Sequence, residues 1–198
     1  MKPCVLVLAF AAASPPHLAR SDEPSILVAY DSRTGHTEKL ARAIAEGVDQ
    51  VEGAIAVLRR REEVEDDEIL SSSGILLGSP VHWASLSAES KVFLERVGKV
   101  LVEAKELGPG TTPRTRAAGA FVTGGAVSSG KELARLAILA AFLNMRFVVI
   151  GGEEVDGFGT LGAQATTAGS DPGLSDAELE EARRFGKRFA SMTLALVR

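Results

Sequence analysis

Short apolar runs that alternate with amphipathic stretches leave this chain few folds to choose from. Residues 26–30, 54–58, 74–77, 117–123 and 146–150 are apolar segments of strand length. A strand that is apolar on both sides must be covered on both faces, which is the habit of parallel sheets. Between these runs the period changes to that of a helix. Leu40, Ile44, Val48 and Val51 share one helical face, and a brief acidic helix is expected around 64–70. A third helix covers about 87–102, with Val92, Leu94, Val97 and Leu101 as its inner face, and a fourth runs over 131–143. The last helix starts after Ser175, an N-cap whose partner in a capping box is Glu178. Alternating strands and helices of this kind give an α/β fold, a parallel sheet between two helical layers.

Residues 108–114 (GPGTTPR) read as a loop, and residues 151–174 are glycine-rich with little periodicity. No repeat or change of composition divides the chain after residue 25, so 25–198 reads as one domain. Residues 1–24 read differently. Lys2 precedes an apolar run at 5–13, small residues stand at Ala11 and Ala13, and a proline-containing linker follows. That is the pattern of a secretory signal, and it is too short to span a bilayer as a helix. Cys4, the single cysteine, belongs to this leader, so the remaining domain has neither a disulfide nor a thiol chemistry. A net charge of -4 gives no electrostatic footprint for nucleic acid. The one basic cluster, Arg59, Arg60 and Arg61, is followed at once by acids and reads as a solvated face.

The chemistry is concentrated where the first strand gives way to the first helix, in YDSRTGHTEKL at 30–40. Ligands of such folds sit beyond the carboxyl ends of the strands. A helix N-terminus there offers unpaired amides and the positive end of a dipole. The hydroxyls of Ser32, Thr34 and Thr37 add donors, and Gly35 lets the backbone come close. Capping by Thr34 alone would need one hydroxyl, so phosphate binding is the better reading. Neither of the common glycine-rich nucleotide signatures follows the first strand. His36 and His82 have no third ligand at useful spacing, which argues against a zinc site.

YDSRTGHTEKLARAI resembles the flavin-mononucleotide phosphate loop of the flavodoxin superfamily. Three further stretches, GILLGSPVHWASLSAESKVFLERVG, AAGAFVTGGAVSSGKE and GTLGAQATTAG, resemble the Trp-repressor-binding-protein-A type of NAD(P)H:quinone oxidoreductases. The resemblance implies a five-stranded sheet in the order 2-1-3-4-5 and non-covalent FMN. It places the phosphate at Ser32, Arg33, Thr34, Gly35, His36 and Thr37. The isoalloxazine would lie beside Pro80, Val81, His82 and Trp83, and the ring or its ribityl chain beside Thr123, Gly124, Gly125 and Ala126. His82 is the candidate to stabilise negative charge on the reduced cofactor, since an imidazole N–H can donate to it. The alternatives are core packing for Trp83 and a plain glycine-rich helix start at 123–126.

By this resemblance the activity is two-electron reduction of a quinone by NAD(P)H or a quinol. The other reading is a flavodoxin-type electron carrier with no small-molecule substrate of its own, and a third is a domain that has lost turnover. Thr34 and Asn144 stand where the relatives often carry an aromatic residue and a histidine, which bears on the nucleotide and quinone sites. A homo-oligomer is among the expectations, although the segment between the second and third strands is shorter than in tetrameric relatives. The leader generates a test of its own. Cell fractionation with N-terminal sequencing should recover an exported product beginning near Ser14, and a cytoplasmic product beginning at Met1 would overturn that expectation.

Overall fold

In a computed structural model, residues 24–127, 129–152, 160–167 and 173–197 of the chain are described; residues 1–23, where the leader expectation falls, lie outside them. Strand β1 (Ser25–Tyr30) leads into helix α1 (His36–Asp49), then β2 (Ile55–Arg60) and the short α2 (Asp66–Ser71). β3 (Gly74–His82) turns into the two-residue β4 (Ser85–Leu86) and α3 (Ala88–Glu103). β5 (Ala117–Gly124), α4 (Lys131–Asn144), β6 (Val148–Val149), β7 (Gln164–Thr166) and α5 (Asp176–Val197) complete the order. The sheet runs β2-β1-β3-β5-β6 with parallel pairing throughout, which is the expected order, and β7 also pairs with β5.

Alternation along β1 sorts the core into two layers. Ile26, Val28 and Tyr30 pack with α1 and α5, against Ile44, Phe185 and Phe189. Leu27 and Ala29 point the other way, into a cluster with Ile69, Phe93, Val97, Ile138 and Phe142 from α2, α3 and α4. The period-2 geometry of a strand buried on both faces produces this split. Among the described residues no helix is long and apolar enough to cross a membrane.

The structure corrects several expectations. Val92 is 60% exposed, because it lies across the helix from Leu94; Phe93 takes the core position instead. The strand expected over 146–150 shrinks to Val148–Val149, since Arg146 adopts φ 65° in the turn after α4. The stretch expected to lack structure contains β7, which pairs with Val122–Gly124 while β6 pairs with Ala117–Ala118. The fifth strand position is therefore filled by two short segments. At the start of α5, the Ser175 hydroxyl accepts from the Glu178 N–H at 3.3 Å and the Glu178 carboxylate accepts from the Ser175 N–H at 2.9 Å, as a capping box requires.

α1 and α5 meet backbone to backbone. A Cβ on Gly47 would overlap the Arg183 carbonyl oxygen, and a Cβ on Gly186 would overlap that of Ile44. These paired glycines set the distance between the helices and so the depth of the layer that covers β1. Neither helix can accept a methyl group there without moving, and overpacking of this kind typically costs about 1–3 kcal/mol. Gly186→Ala is expected to lower the unfolding free energy by that amount in a denaturant titration, with Gly47→Ala close behind it.

Candidate functional site

Parallel pairing sets the carboxyl ends of β1, β3 and β5 side by side. Tyr30 lies opposite Gly78, and Pro80 opposite Thr123. The segments carrying Ser32 to Thr37, Pro80 to Trp83 and Thr123 to Ala126 therefore open at one end of the sheet, where folds of this class hold ligands.

In the first segment, Gly35 precedes α1 with φ 87° and ψ -11°. A Cβ there would meet nothing within 4 Å, so the left-handed backbone rather than crowding calls for glycine. The Ser32 hydroxyl accepts from the Gly35 N–H at 3.1 Å and the Glu38 N–H at 3.4 Å. Ser32, not Thr34, thus closes the helix start; the Thr34 hydroxyl meets His36 Nδ1 at 2.8 Å. Thr37 is buried and its hydroxyl pairs with that of Thr123 at 2.8 Å. Two hydroxyls carry two protons and their mutual bond uses one, so the pair retains one to donate. The same bond ties the first segment to the third. The first-turn amides of α1 and the positive end of its dipole face this mouth together with Arg33, which reaches Glu89 at 3.0 Å.

The second segment is a hairpin. β3 continues through Pro80 and Val81 to His82, reverses at Trp83 and Ala84, and returns with His82 opposite Ser85. Both turn residues have positive φ, 51° and 60°, as two-residue hairpin turns demand. For residues with a Cβ this costs roughly 1–2 kcal/mol each, so something must hold the turn. The buried Ser79 hydroxyl accepts from the Ser87 N–H at 2.9 Å, and the Ser87 hydroxyl accepts from the Ser90 N–H at 3.1 Å. Ala84 also leans on Gly130, where any Cβ would overlap it. The turn delivers Trp83 to the surface, where the residue is fully exposed, so the core-packing alternative for Trp83 is excluded.

The third segment begins buried, at Thr123 and Gly124, and becomes exposed at Gly125, Ala126 and Val127. The buried Ser129 hydroxyl has no partner among the described residues, and a Cβ on Gly124 would overlap it.

Two cations escaped the sequence reading. The β2 register places Arg60 opposite Tyr30, with its guanidinium 5.8 Å from the ring centre, and it donates to the Ser32 carbonyl at 3.3 Å and to Glu38 at 3.4 Å. Part of the expected solvated face therefore borders the mouth; Arg61 likewise comes within 3.6 Å of the Asp31 carboxylate. Burial, then the charge of Glu38, holds the Tyr30 phenol above its ordinary pKa. Lys131 is 2% exposed; a Cβ on Gly124 would come within 3.0 Å of its stem, and its ammonium donates to the Thr166 hydroxyl. Burial holds its pKa below the usual lysine range. The available signal was a lysine in the first turn of a helix, where the dipole disfavours it.

A family model described as a flavodoxin domain matches residues 27–108. A flavodoxin of Aquifex aeolicus is 32% identical over 174 residues, which take in 87% of this chain and 88% of that one. The chain belongs to the flavodoxin family. Another relative, an NAD(P)H dehydrogenase (quinone) of Geobacter sulfurreducens, is 27% identical over 207 aligned residues, covering 87% of this chain and 98% of its own. Since 87% of a 198-residue chain fills 207 positions only with gaps, that relative carries residues that this flavodoxin-family chain lacks. The Aquifex alignment needs almost none in this chain. Among solved structures, the flavodoxin WrbA-like protein from Agrobacterium tumefaciens shares the fold with a TM-score of 0.68 at 21% identity, over 87% of this chain and 99% of that one.

The exposure of Trp83 generates a test that is independent of any ligand. Trp83→Ala should change the unfolding free energy by less than about 0.5 kcal/mol, as for a surface side chain without partners. Tryptophan emission of the ligand-free protein should be that of a solvated indole; a blue-shifted emission or a large loss of stability would place the ring elsewhere.

Proposed function

We propose that this mouth binds FMN non-covalently and that the chain is an oxidoreductase passing two electrons from NAD(P)H or a quinol to a quinone-like acceptor. The observation that carries the reading is the meeting of a hydroxyl- and amide-lined helix start, locked by Thr37 and Thr123, with an exposed tryptophan on a strained hairpin. A dianionic phosphate fits the first, and a flat aromatic ring fits beside the second. The unpartnered Ser129 hydroxyl and the open space at Gly35 are consistent with a polar group held there.

Bound FMN supplies reversible hydride and electron transfer, so the protein needs no nucleophile of its own. The chain's residues bind and orient. Ser32, Arg33, Thr34, Gly35, His36 and Thr37 hold the phosphate through hydroxyl and backbone donors. Trp83, with Pro80, Val81 and His82, would lie beside the flavin ring and shield it from water. His82 could donate a hydrogen bond to the reduced cofactor, and Thr123, Gly124, Gly125 and Ala126 would hold the ring or its ribityl chain. An electron-carrier role is the second reading, supported by the match to the Aquifex flavodoxin with almost no gaps in this chain and by the residues missing relative to the Geobacter quinone dehydrogenase. If the leader is cleaved near Ser14 on export, a quinol or a redox partner would replace NAD(P)H as the donor.

Purification with FMN should give a yellow protein whose Trp83 emission is quenched and recovers when the flavin is removed. Steady-state oxidation of NADH or NADPH with benzoquinone then supports the enzyme. Flavin binding without such turnover supports the carrier, and no flavin binding overturns both. Losing a hydrogen bond to a charged group costs about 1.5–3 kcal/mol, so Thr37→Ala should weaken FMN binding roughly 10- to 150-fold. Riboflavin, which lacks the phosphate, should show little further loss in that variant; equal loss for both ligands would make Thr37 a structural residue only.

A further inference from the structure

We propose that Lys131 holds a buried positive charge beneath the mouth and thereby sets the reduction potential of the cofactor, favouring the reduced, negatively charged form of the flavin over the oxidised one. The inference rests on the FMN reading above, and it concerns a residue outside the three segments that line the mouth.

Lys131 is the first residue of α4, directly after Gly130. Gly130 is where the hairpin meets the helix, since any Cβ on it would overlap Ala84, the neighbour of Trp83. The stem of Lys131 lies against Gly124 of the third segment, where an added Cβ would come within 3.0 Å of it. Its ammonium reaches on to the Thr166 hydroxyl, and Thr166 is paired with Gly124 across the sheet. One lysine therefore sits where the second and third segments converge. The FMN reading puts the ring between those two segments.

Burial makes this charge expensive. Taking an ammonium out of water costs more than a single hydroxyl partner returns. Position adds to the cost, because the first turn of a helix is the positive end of its dipole. Arg135, one turn further along α4, is a second buried cation. The carboxylates that act on the ammonium, Glu132 and Glu178, are engaged elsewhere. Glu132 lies 3.7 Å from Arg135, and Glu178 accepts from the N–H groups of Thr166 and Ser175. A methionine of similar length would fill the same space without these costs. What the ammonium adds is attraction for an anion, and the mouth is where an anion would arrive.

Hydride transfer to a neutral ring leaves one negative charge on it. A fixed cation in a partly dry site favours that charge far more than bulk water does, and charge near the ring is one of the means by which a protein tunes a flavin. The oxidised ring carries no such charge and gains little. Lys131 thus separates the two forms of the cofactor instead of strengthening binding in general, and it acts without touching the phosphate.

The test compares the ligand-free wild type with Lys131→Met and Lys131→Gln, each titrated with oxidised FMN and, anaerobically, with dithionite-reduced FMN. Both variants should bind oxidised FMN within about threefold of the wild type and reduced FMN roughly 10- to 100-fold more weakly. That change corresponds to a two-electron midpoint potential lower by ~30–60 mV, which redox titration of the complex reads directly. Thr166→Val keeps the ammonium and loses only its tie to β7, so the ratio of the two affinities should stay within about threefold of the wild type. A readout without flavin comes from denaturant titration of the ligand-free proteins. Lys131→Met should unfold no earlier than the wild type, as expected when an apolar side chain replaces a buried charge. An unchanged affinity ratio in both variants would overturn the proposal, and so would a Thr166→Val shift as large as that of Lys131→Met. Loss of both FMN forms together with loss of stability in Lys131→Met would make the lysine purely structural and overturn it too. A wild type that binds neither form would overturn the cofactor reading along with this one, whereas an unchanged ratio overturns this one alone.

Discussion

The parallel register of β1, β3 and β5 is the constraint from which the rest of the molecule follows. Each of these strands is hydrogen-bonded along both edges and buried on both faces, so its position has no slack. A slip by one residue would send Ile26, Val28 and Tyr30 to the α3 side and Leu27 and Ala29 to the α1 side, undoing both layers at once. It would also shift one loop of the mouth by about 3.3 Å relative to its neighbours, enough to break the bond between Thr37 and Thr123. The geometry of the candidate site is thus inherited from the packing of the core. The loops add chemistry to positions that hydrophobic burial has already assigned.

That inheritance explains what could be read from the sequence. Apolar runs bounded by glycine and proline reveal β1, β3 and β5 because burial on both faces writes itself into every residue of a strand. The three loops were legible for the same reason, since each begins where such a run ends. What stayed hidden depends on partners distant in the chain. Gln164–Thr166 becomes a strand through pairing with Val122–Gly124, and no apolar pattern of its own announces it. Val92 looks like a core residue until Phe93 is seen to occupy the place. Arg60 reads as one of three surface arginines, yet the pairing of Tyr30 with Arg60 brings it over the ring and against the Ser32 carbonyl. Ser32 and Thr34 are equally plausible helix caps by residue type, and the left-handed turn at Gly35 decides between them.

The split fifth strand has a thermal consequence. Its amino half, Val148–Val149, is flanked by the buried Phe147 and Ile150 and is held in place by hydrophobic packing. Its carboxyl half, at the rim of the mouth, is fastened by charge. Arg135 donates to the Gly162 carbonyl at 2.6 Å and to Gln164 at 2.9 Å, Lys131 donates to Thr166, and Glu178 accepts from the Thr166 N–H at 2.6 Å. Heating acts on the two fastenings differently, because the desolvation cost of ions falls as temperature rises while the hydrophobic contribution levels off. One strand position therefore carries two temperature coefficients. As the protein warms, the charged clasp at the rim gains relative to the greasy anchor at the base, and the two ends of that edge respond differently to heat.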